Sequence, residues 1–423
     1  MKKKILGTLL IFLWSITLVS AQETVKVMFY NLLNFPSEGA VSNRITDLAY
    51  ILSDYQPDLF LVCELNTFEG ATAILGTTQT SIDANFQMAT FVTNTSDDNS
   101  GDQNDLQNLL YYNSSKFSIE EEIIVPTDLR DFNIYRLQLN TVNQESNPIE
   151  LYVVIGHLKA SSGTENSQRR ATMVNNLENY LDNFPPDANV ILGGDLNIYT
   201  ANESAFQDLI SPSNTITFID PANRIGSWHN NTDYADVFTQ STRTQTGFGG
   251  ATGGFDDRFD FILTSKYMAS SAAITYVPNS YQAYGNNGLE SCWNHDINAP
   301  ECETVGSPFS YELRTHLYNF SDHLPVTLAL TTNETFLSVE DYTASLGLTL
   351  ENTMTPDELR LKVNNTALYE KTIVIYNHLG QRIKSVQLNS NPLQHLNVSD
   401  LRDGLYFIKS ATNAFQPLKF IHI

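Results

Sequence analysis

The sequence predicts an α+β protein in which two β-sheets pack face to face with helices outside, followed by a small all-β module. Three features carry that reading. Short runs such as "LFLVCEL" (from Leu59) and "NVILGGDLN" (from Asn189) are apolar at consecutive positions, as in strands covered on both faces. Such strands alternate with amphipathic stretches and outnumber them, which suits layered sheets flanked by helices. Beyond residue 338 the helical spacing stops and only alternating strand patterns remain.

In chain order, "TVKVMFYNLLN" (from Thr24) is a strand that runs into polar residues. "SNRITDLAYILSDYQPD" places Ile45, Leu48, Ala49 and Leu52 at helical spacing, with Ser42 as the expected cap and an end before Pro57. "LFLVCEL", "QNLLYYN" (from Gln107), "IYRLQL" (from Ile134) and "IELYVVIGHLK" (from Ile149) are strands. An amphipathic helix follows in "RRATMVNNLENYLDNF" (from Arg169), then strands in "NVILGGDLN", "RFDFILTS" (from Arg258) and "PVTLALTT" (from Pro325). A boundary is expected near Thr332 to Ser338. The expected organisation is residues 1–21 as a leader, 22–332 as a catalytic-sized domain and 338–423 as the β-rich module. In that module "LYEKTIVIYNHLGQRIKSVQLN" reads as two strands around a turn at His378 to Gly380.

The opening "MKKKILGTLLIFLWSITLVSAQ" has three lysines, an apolar run too short for a bilayer span and a Val19-Ser20-Ala21 cleavage signature, so export is expected, without a stable membrane span. Without that leader, 21 basic stand against 47 acidic residues, a net charge near −26. Such acidity argues against salt-driven, nonspecific adsorption to nucleic acid or anionic lipid. A polyanionic substrate stays open to a hydrolase that uses divalent ions to screen phosphates. Cys292 and Cys302 lie in a polar loop of an exported chain and suit one disulfide. Cys63, within "PDLFLVCEL", is expected as a buried free thiol.

Chemistry-bearing residues collect where apolar strands end. Asn31 follows "VMFY", Glu64 follows "LFLVC", and His157 follows "YVVIG". Asp195 and Asn197 follow "VILGG", two apart and expected on one side of an extended segment; Asp260 lies in "DDRFDFIL", and Asp322-His323 precedes "LPVTLAL". One carboxylate after a strand is usually a turn former. Six strand ends each carrying Asn, Asp, Glu or His converge on one rim instead, with the residue types of a metal-assisted hydrolase.

Taken together and in order, "YNLLNF", "CEL", "GHLK", "GGDLN", "RFDFIL" and "SDHLPV" resemble the endonuclease/exonuclease/phosphatase superfamily, over about Thr24 to Thr332. The resemblance implies a four-layered α/β sandwich and divalent-ion-dependent hydrolysis of phosphate esters, with Mg²⁺ the expected ion and Mn²⁺ or Ca²⁺ the alternatives. It implies Glu64 as the main metal ligand, assisted by Asn31 and Asp322, since hard cations take oxygen ligands. His323 becomes the general base, with Asp260 fixing its tautomer. Asp195 and Asn197 would position water and phosphoryl oxygens. His157 would donate to phosphate or protonate the leaving oxygen, and Arg130 in "TDLRDF" would clamp phosphate. Asp102 or Asp105 are the candidate acidic partners of His157. Arg258 reads as structural and Lys159 as a solvated charge. "CEL" departs from the family's commoner Gln-Glu, so the contact made by that Gln is absent. Trp228 and His229, in the Gly- and Thr-rich stretch before Asp260, could stack on a base, although a buried Trp is the ordinary reading.

The C-terminal pieces "IVIYNHLGQRI", "DLRDGLYFIKS" and "LKFIHI" resemble a type IX secretion C-terminal sorting domain, without its usual Pro-Asn-Pro opening. The joint expectation is a secreted or surface-held monomer, with nucleic acid as substrate and the secretion machinery as partner. A sphingomyelin or phospholipid phosphodiesterase and a phosphomonoesterase are alternatives of the same chemistry. An inactive, surface-displayed binding protein is the alternative of another class.

Overall fold

A computed structural model describes residues 22–97, 106–337, 347–410 and 417–423. The expected leader and the candidates Asp102 and Asp105 lie outside these described residues. The chain divides into two compact units, Met1–Phe336 and Leu337–Ile423.

The larger unit has four layers. Its strands are β1 (Glu23–Phe35), β2 (Leu59–Leu65), β3 (Phe86–Met88), β4 (Gln107–Asn113), β5 (Phe117–Val125), β6 (Phe132–Leu139) and β7 (Glu150–His157). They continue as β8 (Val190–Asp195), β9 (Phe218–Ile219), β10 (Asp260–Ser265), β11 (Ile274–Tyr276), β12 (Gln282–Ala283) and β13 (Val326–Thr332). The helices are α1 (Arg44–Tyr55), α2 (Phe68–Ser81), α3 (Thr164–Leu181), α4 (Ser204–Leu209) and α5 (Tyr311–Phe320). One sheet runs β11-β13-β1-β2-β4-β3, with β12 also on β13; the other runs β5-β6-β7-β8-β10-β9.

The alternation of side chains explains the layering. On β7 and β8, Val153, Ile155 and Ile191 point into the core between the sheets, with Phe29 and Leu61 opposite. Their neighbours Val154, Val190 and Leu192 point the other way, into a second core with Met173, Val174 and Leu177 of α3. Helices α1, α2 and α5 cover the outer face of the first sheet, contributing Leu48, Ile74 and Leu317 to its core. The sheets approach closely at Gly193 of "ILGGD", while Gly194 leaves room for the neighbouring backbone of β7. A Cβ on Gly193 would stand 2.7 Å from Leu61 Cδ2 and 3.3 Å from Phe29 Cβ, and one on Gly194 would stand 2.6 Å from the Gly156 carbonyl oxygen.

Register then sets the rim. β7 and β8 are parallel, with His157 beside Asp195, and β10 runs antiparallel to β8 with Asp260 beside Asp195. Three functional candidates therefore form one row across three strands. On the other sheet β1 and β2 are parallel, with Asn31 beside Cys63. Because β10 and β13 run against their neighbours, they begin where β1, β2, β7 and β8 end.

Two local expectations are corrected. The cap of α1 is Asn43, in the left-handed region at φ 62° and making no side-chain cap bond, so Ser42 does not cap it. Asn197 does not continue an extended segment from Asp195. Its φ is 50°, and its backbone N–H donates to Asp195 Oδ1 at 3.1 Å. An Asn tolerates this turn better than most residues, because its short polar side chain bonds locally.

The smaller unit is all β. Its strands form a three-stranded and a five-stranded sheet around a core of Leu359, Leu361, Ile373, Ile375, Ile408 and Phe420. Strands Thr372–Asn377 and Arg382–Gln387 pair antiparallel across the turn at His378 to Gly380. No described helix of the protein is long and apolar enough to cross a membrane.

Candidate active site

The row His157, Asp195, Asp260 faces Asn31, Glu64, Asp322 and His323 from the opposite sheet. Side-chain bonds across the gap tie the two together. Asn31 Nδ2 donates to Glu64 Oε1 and to Asp195 Oδ2, both at 3.0 Å, and lies 3.5 Å from His323 Nε2. Its Oδ1 accepts from the Leu33 N–H at 3.0 Å, so Asn31 presents its N–H₂ to the centre rather than a ligating oxygen. Glu64 sits in the left-handed region at φ 57°, where the pairing of β2 is interrupted before it resumes at Leu65, and its Oε2 accepts from the Asn34 N–H at 3.0 Å. For a non-glycine residue that backbone is uncommon, and it aims the carboxylate at the gap.

His323 is oriented on both sides. Its Nδ1 lies 2.7 Å from Asp260 Oδ2, and both residues are buried. Gln240 Nε2 lies 2.6 Å from His323 Nε2 and donates to Asp322 Oδ2 at 3.1 Å. With the proton on Nδ1, toward Asp260, Nε2 keeps a lone pair that accepts from Gln240. Burial works against charge on this ring, but the carboxylates of Asp260, Asp322 and Asp195 outweigh it and raise its pKa well above the usual imidazole range. The Gln240 bond favours the neutral ring and the carboxylates favour the charged one. The bond is local and depends on one amide orientation, so the direction set by three carboxylates is the stronger of the two.

His157 is the opposite case. Its Nε2 stands 3.8 Å from Glu64 Oε1 and 3.6 Å from Asp195 Oδ2, beyond hydrogen-bond reach, and its buried Nδ1 has no hydrogen-bond partner among the described residues. Burial, then the charges of Arg130, His323 and Lys159, hold its pKa well below the usual range, so it is a neutral imidazole. Arg130 braces the same edge, its Nη1 donating to the Leu158 carbonyl at 3.0 Å. Asn197 Nδ2 reaches that same carbonyl at 3.4 Å. Asp322 is held by the Ala251 N–H, which donates to its Oδ2 at 2.6 Å. Gly250 lies flat on that carboxylate, where a Cβ would come within 2.4 Å of its Cγ.

The site is over-supplied with negative charge. Burial raises the pKa of Glu64 and lifts that of Asp195 to about 7, with Asp260 and Glu64 adding to the latter. One oxygen each of Asp260 and Asp322 is buried without a hydrogen-bond partner among the described residues. Glu64, His157 and Asp195 offer ligand atoms within 4.8 Å of one another, as do Asp195, Asp260 and His323, with Asp195 common to both groups. Buried, uncompensated carboxylate oxygens are what a hard divalent cation takes, so the donor set fits the Mg²⁺ expected from the sequence.

Asn31, Glu64, His157, Asp195, Asp260, Asp322 and His323 are thus brought together, with Arg130 and Asn197 against the Leu158 carbonyl at their edge. Gln240 was not singled out; it sits in the loop between β9 and β10, and no local pattern marks it. Arg258 is buried behind the site in a two-bond pair with Asp220, both bonds 2.8 Å, and stacks on Phe261. Trp228 is fully buried. Cys292 and Cys302 are joined, and Cys63 is a buried free thiol.

Residues 355–423 match the family described as the secretion system C-terminal sorting domain. The protein is accordingly a secreted or cell-surface one. No curated protein matches the chain. Among solved structures it is similar to the human Nocturnin catalytic domain, at 15% identity over 73% of this chain and 97% of that one, with a TM-score of 0.41. It is also similar to D. rerio TDP2 complexed with single-strand DNA product, at 15% identity over 73% of this chain and 99% of that one, TM-score 0.44. An endonuclease/exonuclease/phosphatase family protein from Bacteroides thetaiotaomicron shares 12% identity over 74% of this chain and 99% of that one, TM-score 0.44.

Proposed function

We propose that this protein is a secreted, divalent-metal-dependent phosphodiesterase that hydrolyses nucleic acid outside the cell. The observation that carries the reading is the His323–Asp260 pair, which bridges the two sheets and holds His323 Nε2 3.8 Å from Asp195 Oδ2, the carboxylate that is also grouped with Glu64. A base with a fixed tautomer beside a carboxylate cluster is the arrangement that activates water next to a cation. Glu64 and Asp195 would hold the ion; when bound, the ion would supply charge neutralisation at the phosphate.

The chain's own residues then divide the work. His323 Nε2 takes a proton from water as the water oxygen forms its bond to phosphorus. The bond from phosphorus to the leaving oxygen breaks, and that oxygen leaves with a proton drawn from solvent. Asp260 holds the Nδ1 proton and stabilises the imidazolium that forms. Neutral His157 suits a hydrogen bond to a phosphoryl oxygen better than delivery of a proton, because burial and Arg130 keep it uncharged. Asn31 and Arg130 add donors at the same edge.

The test is hydrolysis by the chain from Gln22 onward of plasmid DNA, RNA, sphingomyelin and a sugar phosphate, with Mg²⁺ and with EDTA. Cleavage of nucleic acid that EDTA abolishes, and that His323→Ala lowers by about two to four orders of magnitude, is the expected result. Hydrolysis confined to the lipid or the sugar phosphate would move the substrate class; near-normal rates in His323→Ala would remove the base.

A further inference from the structure

One cluster of polar and aromatic side chains stands outside the hydrolytic centre and on its rim. His229 turns away from buried Trp228 and is about half exposed, with Nδ1 held 2.7 Å from Asp257 Oδ1. The imidazole and the carboxylates of Asp256 and Asp257 lie within 4.8 Å of one another. The next residue, Asn230, accepts from Trp293 Nε1 at 3.2 Å. Trp293 is 40% exposed, next to Cys292 of the disulfide. The Tyr199 ring meets His229 edge-on at 5.2 Å.

Chain connections place this cluster beside the reacting centre. Tyr199 is two residues past Asn197, and Asp257 three before Asp260. The Asp257 backbone pairs with Gln240, whose side chain touches His323.

We propose that Trp293, His229, Asn230 and Tyr199 form a subsite for the nucleobase of a nucleotide flanking the scissile phosphate. The inference rests on the phosphodiesterase reading above. An indole left this exposed, yet pinned through its N–H, offers a rigid flat face, and base stacking on such a face tolerates any sequence. The neighbouring carboxylates repel phosphate, so the group seated here is the uncharged part of the nucleotide. Carboxylates beside a stacking face accept from exocyclic amines, so adenine, cytosine and guanine fit better than thymine or uracil. With Nδ1 committed to Asp257, His229 keeps Nε2 for the ligand.

The experiment compares steady-state cleavage of a short single-stranded oligonucleotide with the same oligonucleotide carrying an abasic residue next to the cut. The whole chain is used, as wild type and as Trp293→Ala, Trp293→Phe and His229→Ala. Wild type is expected to favour the base-bearing substrate by about tenfold, expressed in KM, as one stacked base implies. Both alanine variants should collapse that preference, and Trp293→Phe should keep most of it. A wild type without the preference, or alanine variants that retain it, would overturn the subsite. So would a shifted Mg²⁺ activation curve in His229→Ala, which would make the cluster a metal site. If the wild type cuts no nucleic acid at all, the phosphodiesterase reading fails first, and the two failures are distinct.

Discussion

Two histidine–aspartate pairs of the same length, 2.7 Å, serve one rim in different ways. In the His323–Asp260 pair the side chains are 5% and 0% exposed; in the His229–Asp257 pair they are 49% and 13% exposed. Distance alone therefore does not separate the proposed base from the proposed binding group. Surroundings separate them: His323 faces Asp195 across the gap between the sheets with Asp322 beside it, whereas His229 is about half exposed. Burial pushes the Asp257 carboxyl up to about 6, close to neutral pH.

The contrast can be broken most severely at the metal-facing side of the buried pair. Glu64→Ala should lower turnover by at least about a thousandfold and raise the Mg²⁺ concentration needed for half-activity, read from metal titrations of rate; an unchanged titration would remove Glu64 as a ligand. Asp260→Asn should cost about a hundredfold or more in kcat with little change in KM, because the ring loses its tautomer and its countercharge. A KM effect instead would make Asp260 a binding residue. The same variant sharpens the comparison through pH. A base works when deprotonated, and the carboxylates raise the His323 pKa, so the acid limb of kcat should lie above the ordinary imidazole value near 6.5. Removing the Asp260 charge should move that limb to lower pH. Asp257→Asn, by contrast, should change KM for nucleic acid less than about tenfold and leave the acid limb of kcat in place. A moved limb would mean that the two pairs are coupled.

How much of this was legible depended on whether a residue's role follows from strand order. Asn31, Glu64, His157, Asp195, Asp260, Asp322 and His323 sit at strand ends, and apolar runs mark strand ends without any structure. Burial of both faces of β8 is equally plain in the letters. Gln240 was hidden because its approach to His323 depends on a long loop folding back. The direction in which Asn31 presents its amide was hidden as well, since it depends on the Leu33 N–H taking its oxygen. Asn197 was misjudged because a left-handed turn looks like strand continuation when apolar residues flank it. Helix α2 was missed because "FEGATAILGTTQTS" carries Gly and Thr, which blur the periodicity. The difference between Trp228 and His229, one buried and one exposed, could not be read from adjacent letters.

The hydrolytic centre is not carried by one sheet. Glu64, Asn31 and His323 hang from one and Asp195, His157 and Asp260 from the other, so the thickness of the core between them acts as a gauge for the chemistry. Gly193, pressed against Leu61 and Phe29, is where that gauge is set. Core residues such as Leu61 and Phe29 thus set the separation of the two halves of the proposed site without themselves belonging to it.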